Sequence, residues 1–93
     1  MKDLDPLLHS QLRLAVMSIL MTVEHADFVY LREKTDSTAG NLSVQLDKLS
    51  TAGYLAIEKS MSGKRPRTVC TITPAGRQAF MAYVSALTSY LHL

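Results

Sequence analysis

Ninety-three residues, 47% hydrophobic and 19% charged, give enough apolar surface for one core and too much for a disordered chain. No apolar run approaches the ~18 residues of a membrane-spanning helix, and the acid- and proline-bearing start MKDLDPLLHS is not a signal peptide. The lone cysteine can form no internal disulfide, so a cytoplasmic domain with no membrane partner is expected, and a mean hydropathy of +0.08 suggests apolar surface shared with a second copy.

The net charge of +2 is unevenly spread. Residues 1–58 carry five basic side chains against all eight acids, a balance of −3, whereas residues 59–93 carry five basic side chains and no acid, a balance of +5. Three of those five crowd into the tetrapeptide KRPR at 64–67, a cluster that attracts phosphate.

Pro6 suits the first turn of a helix running to about Val23. Its apolar residues fall into two stripes. Leu8, Leu12, Ala15, Val16, Ile19, Leu20 and Val23 form one; Leu7, Leu14, Met17 and Met21 form the other. A surface helix of a monomer needs one stripe, so the second suggests burial against another subunit. EHAD reads as a turn, with Asp27 as cap of a short helix from Phe28 to about Lys34; a short extended piece around Phe28 could add a third strand, which the sequence permits but does not demand. Thr38 caps a third helix whose Leu42, Leu46 and Leu49 face the core. Gly40, Asn41, Val44, Asp47, Lys48 and Thr51 point away, Ser43 and Gln45 flank the boundary, and Gly53 stops the helix. From Tyr54 the period becomes two. Leu55 and Ile57 alternate inward, SMSGKRP turns, and RTVCTIT returns with Cys70 and Ile72 on one face. Thr73-Pro74 then opens a last helix with two apolar flanks, Phe80, Val84, Leu87 and Leu91 beside Ala79, Tyr83, Ala86 and Tyr90.

Other chemistry is weakly signalled. Cys70 falls on an inward strand face, as a buried cysteine does. His9, His25 and His92 lack metal-ligand spacing, SGKRP lacks the spacing of a phosphate loop, and no serine, histidine and acid set forms a motif. No enzyme, cofactor or metal is expected. Arg77, in the first turn of the last helix, opposes the helix dipole and so needs an anionic partner.

The order α-α-α-β-β-α, mainly helical with a small β-hairpin (α+β), is the layout of a winged helix-turn-helix, in which a helix fits the major groove and a basic hairpin reaches the neighbouring backbone. On that layout Asn41 and Gln45 would take adenine bidentately, Val44 a thymine methyl, and Ser43 a base or phosphate. Thr38 and Gly40 start the helix, and the missing side chain at Gly40 lets backbone N–H groups approach phosphate. Arg32, Lys34 and Lys48 would position the protein on phosphates, while Lys64 and Arg65 at the wing tip, supported by Arg67, would reach the adjacent groove. The carboxylate of Asp47 would repel phosphate, which leaves a winged-helix protein–protein interaction module as the alternative.

With LDPLLHSQLRLAVMSIL, TAGNLSVQLDKLSTAGYL and RPRTVCTITPAGRQAF in that order, the chain resembles the small winged-helix transcriptional regulators of the MarR-like superfamily, from Leu4 to about Leu87. The resemblance implies a dimeric DNA-binding transcription factor with the third helix as reader, the 60–67 hairpin as wing and the terminal helices as dimer contact. The organisation expected is therefore a single domain: 1–23 first helix and dimer contact, 27–52 helix-turn-helix, 54–73 wing, 74–93 dimerisation helix. The partners expected are double-stranded DNA, on a pseudo-palindromic operator, and a second copy meeting through Leu7, Leu14, Met17, Met21, Tyr83, Leu87, Tyr90 and Leu91. A small-molecule effector is left open; it would sit in the dimer interface near the first and last helices.

Overall fold

The computed structural model describes residues 3–91. The elements are α1 (Gln11–Val23), β1 (His25–Asp27), α2 (Phe28–Thr35), α3 (Ala39–Thr51), β2 (Leu55–Ser62), β3 (Arg65–Ile72) and α4 (Pro74–Leu91). The expected winged-helix order is present, with one strand added: β1, β3 and β2 form an antiparallel sheet in that spatial order.

The helices start where side-chain caps satisfy free N–H groups. Ser10 accepts from the Arg13 amide at 3.4 Å, Asp27 from Tyr30 at 2.8 Å and Thr38 from Asn41 at 3.2 Å. The first cap corrects the reading from Pro6. Asp5 folds residues 6–8 into a turn instead, taking the Leu7 amide on its carboxylate (2.9 Å) and those of Leu8 and His9 on its carbonyl (3.1 and 3.0 Å). The helix begins only after Ser10.

EHAD is likewise not a plain turn. His25, Ala26 and Asp27 pair with Thr71, Cys70 and Val69 of β3, and the Glu24 carbonyl accepts the Ile72 amide at 3.1 Å. So short a strand exists only because a neighbour supplies its hydrogen bonds, which local sequence does not encode. The hairpin is also tighter than the predicted turn over 60–66. Pairing runs from Leu55↔Ile72 to Ser62↔Arg65, leaving Gly63 and Lys64 to turn the chain, and Gly63 takes φ +66° as a two-residue hairpin requires. Pro66, opposite Met61, sits where β3 has no neighbour but β2, so its missing N–H breaks no β1 pairing.

The core gathers Leu8, Val16, Met17, Leu20, Leu31, Leu42, Leu46, Leu49, Leu55, Cys70, Ile72 and Tyr83. Burying each leucine contributes about 1.5–3 kcal/mol. In α1 the buried residues are Val16, Met17 and Leu20, flanked by half-buried Leu12, Leu14, Ala15, Ile19 and Met21, so the core takes from both stripes. Three leucines of α3, at 42, 46 and 49, bury that helix's inner side as its spacing predicts. Among the described residues no helix is long and apolar enough to cross a membrane.

The last helix is anchored at its start. The Thr73 amide donates to the Tyr54 carbonyl (3.1 Å), and the Thr73 hydroxyl donates to the Gly53 carbonyl (2.6 Å) while accepting the Gly76 amide (2.9 Å). One threonine thereby caps α4 and fixes it to the chain between α3 and β2.

Candidate nucleic-acid interface

The free face of α3 has two flanks and a ridge. Gly40, Val44 and Lys48 are exposed along it. On one flank Ser43 and Asp47 line a cleft of about 230 Å³ toward the wing, together with Phe28, Ile57, Lys59 and Thr68. On the other flank Asn41 and Gln45 turn toward α1.

That second flank is a hydrogen-bonded relay. The Arg13 guanidinium of α1 donates to Gln45 Oε1, and Gln45 Nε2 donates to Asn41 Oδ1 at 3.0 Å. Arg13 Nε also donates to the Leu7 carbonyl at 2.5 Å, fastening the N-terminal turn next to α3. Sequence reading missed Arg13. Its partner lies 32 residues away, and only the crossing of α1 over α3 brings the two together.

The basic residues are less uniform than their count implies. Lys64 and Arg65 stand exposed at the hairpin tip with Met61, which is 64% exposed. Arg67 instead leans back 3.7 Å to Asp27, the cap of α2. Arg32 is exposed at the end of α2, and the Lys34 ammonium lies 5.6 Å over the Tyr30 ring, a cation–π contact that still leaves its charge near the surface. Arg77 finds a carboxylate, Glu24 at 3.7 Å, which relieves its unfavourable place at the start of α4.

The residues expected at a dimer contact divide. Met17 and Tyr83 are 0% and 4% exposed in the single chain, spent on its own core and unable to meet a partner. Leu7 lies beside Val44 and Lys48 of α3. Leu14, Met21 and Leu87 are half-buried and packed against the core. Tyr90 and Leu91 are exposed on α4, where Met81 and Val84, absent from the expected set, are exposed as well.

Cys70 is fully buried, and desolvation pushes its thiol up to about 11, so near neutral pH it stays protonated and is a poor nucleophile. The Tyr54 hydroxyl donates to Asp5 at 2.7 Å, and that hydrogen bond, with burial and the carboxylate charge behind it, raises the Tyr54 pKa. His9 Nδ1 lies 3.0 Å from the Tyr83 hydroxyl. His92 lies outside the described residues. Among those described, no three His, Cys, Asp or Glu side chains gather where they would hold a metal ion.

Residues 12–91 match the family model of a winged helix DNA-binding domain. The chain is 37% identical, over 76 residues, to an uncharacterised protein of Methanocaldococcus jannaschii, covering 82% of this chain and 83% of that protein. In three dimensions it is similar to a transcriptional regulator homologue from Pyrococcus horikoshii, with TM-score 0.78 and 31% identity over 94% of this chain and 89% of that one. The regulator BldR from Sulfolobus solfataricus shares the fold, with TM-score 0.74 at 23% identity over 88% of this chain and 58% of that one.

Proposed function

The chain belongs to the winged helix DNA-binding domain family, and on that premise we propose that it is a transcriptional regulator that grips a pseudo-palindromic duplex site as a homodimer. The observation that carries this reading is the pairing of two exposed features on one chain: the outer face of α3 and a wing tip where Lys64 and Arg65 stand exposed, with no carboxylate in ion-pair reach among the described residues. In each protomer α3 enters the major groove. Val44 meets a thymine methyl, Ser43 a base or phosphate, and the Thr38–Gly40 start of the helix brings backbone N–H groups to a phosphate. Arg32, Lys34 and Lys48 hold the flanking phosphates, and the wing reaches the next stretch of backbone. The homologue from Pyrococcus horikoshii, described as a transcriptional regulator homologue, supports the regulatory role.

The second copy packs on α4. Met81, Val84 and Leu91 are exposed apolar side chains on that one helix, and covering them supplies hydrophobic driving force for association. Two-fold symmetry then sets two half-sites about one helical turn apart. The fold works by binding and not by catalysis.

The test is a titration against mixed duplex DNA at two salt concentrations, comparing wild type with Lys64→Ala/Arg65→Ala. Binding that weakens with salt and drops in the double variant is the expected result. Absence of binding even at low salt would overturn the reading and leave the face of α3 as a protein-binding surface.

A further inference from the structure

We propose that Arg13 of α1 is a specificity-determining positioning residue, which orients Gln45 and Asn41 so that Asn41 offers N–H donors outward and selects guanine. The inference rests on α3 being the reading helix and adds what that helix reads.

The chemistry of the relay leaves one orientation. A guanidinium has five N–H donors and no acceptor, so the atom of Gln45 that faces Arg13 must be its carbonyl oxygen. The Gln45 amide nitrogen then points the other way, one helical turn back toward Asn41. Being a donor, it must meet the carbonyl oxygen of Asn41, at 3.0 Å. Asn41 is exposed, and with its oxygen turned to Gln45 its amide nitrogen is the group left facing outward. A single cation on α1 thus sets the polarity of two amides on α3.

Polarity decides the base. Free asparagine or glutamine takes adenine by accepting from N6 and donating to N7, which needs both ends of the amide. Here each oxygen is turned toward a donor inside the protein and has one lone pair already occupied. The N–H groups of Asn41 and the second N–H of Gln45 have no partner among the described residues, so the relay leaves a surface biased toward donors. Guanine, with O6 and N7 both acceptors, is the base edge that accepts from such a surface. Such a donor-biased surface favours guanine contacts over the adenine contacts that the residue types suggest. Arg13 also places a positive charge behind a helix face that otherwise carries only Lys48 and the opposing Asp47.

The experiment is selection of bound sites from a randomised duplex library by the wild-type chain and by Asn41→Ala, Arg13→Met, Arg13→Lys and Gln45→Glu, each first shown by thermal melting to be folded. The position read by Asn41 is the one whose base preference Asn41→Ala flattens. Wild type should prefer guanine there over adenine. Arg13→Met removes the donor, frees the amides to rotate, and should reduce that ratio about tenfold. Arg13→Lys keeps a donor and should retain most of the preference. Gln45→Glu keeps the Arg13 partner but deletes the N–H to Asn41, so it too should lose the guanine preference, whatever its added charge does to overall affinity. A purely structural Arg13 would lower the melting temperature of the methionine variant and leave the ratio unmoved. That outcome, adenine preferred by wild type, or no position flattened by Asn41→Ala would each overturn the proposal while leaving the DNA-binding reading intact. A wild-type chain that retains no duplex at all would overturn both.

Discussion

A methyl group placed on Gly76 would stand 2.2 Å from the backbone carbonyl oxygen of Tyr54 and 3.1 Å from the side chain of Ile72. The first turn of α4 therefore rests directly on the backbone that leads into β2. Gly76→Ala must push α4 off that carbonyl, which also receives the Thr73 amide. The expected cost is about 1–3 kcal/mol, as for overpacking of a filled core. Urea unfolding checks it, with Ala75→Gly, one residue earlier and exposed, as the comparison that should cost less than about 1 kcal/mol.

The buried thiol gives a dependence on alkaline pH. Cys70 moves from an ordinary 9.0 in the unfolded chain to about 11 in the folded one. Between those values the folded chain binds more protons than the unfolded chain, so stability is fully present below about pH 9 and falls as pH rises through the window, by about 2–3 kcal/mol in all. Tyr54, raised in the same direction by Asp5, adds to the fall at higher pH. Denaturant unfolding from pH 8 to 11 should slope downward in wild type and less steeply in Cys70→Val. Equal slopes would show that the thiol does not titrate as its burial requires.

The three basic side chains of the wing should not be equivalent. Lys64→Ala and Arg65→Ala should each lower the slope of log affinity against log salt by about one. Arg67 is already paired with Asp27 at 3.7 Å, so Arg67→Ala should lower it by less. Salt titrations of the three single variants against one duplex decide the ranking.

Charge on the free side of α4 should separate the subunits. Val84→Glu/Leu91→Glu alters two exposed residues and spares the core. Sedimentation should then report a monomer with an unchanged circular dichroism spectrum, and affinity for a two-half-site duplex should fall about a hundredfold as the avidity of paired binding is lost. Met17→Leu, a volume-conserving change at a residue fully enclosed in its own protomer, should leave the dimer intact.

What the sequence revealed follows the range over which each signal acts. Caps at Asp27 and Thr38, the leucine spacing of α3 and the glycine in the hairpin turn are contacts within a few residues, and they could be read directly. The strand at His25–Asp27 was permitted by the sequence, as an extended piece near Phe28, but not demanded, because its hydrogen bonds come from β3, more than forty residues later. Residues 6–8 misled because a proline suits a tight turn as well as a helix start, and Asp5 selects the turn. Met17 looked like surface because a wide apolar helix does not reveal which of its stripes the other helices will cover. At the reading face, residue types suggested adenine contacts for Asn41 and Gln45, but their hydrogen bonds depend on Arg13, which only the packing of α1 near α3 makes visible.

The three-residue strand β1 follows α1 after a single residue, Glu24, and runs into α2 with no residue between them, while it pairs with β3 at the base of the wing. It therefore acts as an axle. A tilt of α1 would turn β1, and the strand pairs at Val69, Cys70 and Thr71 would pass that turn to β3. The hairpin tip at Arg65 lies four residues past the last of these pairs, about 13 Å along the strand. On the proposed mode of binding, a small tilt of α1 would thus become a larger sweep of Lys64 and Arg65 across the DNA backbone, tying the placement of the first helix to the grip of the wing.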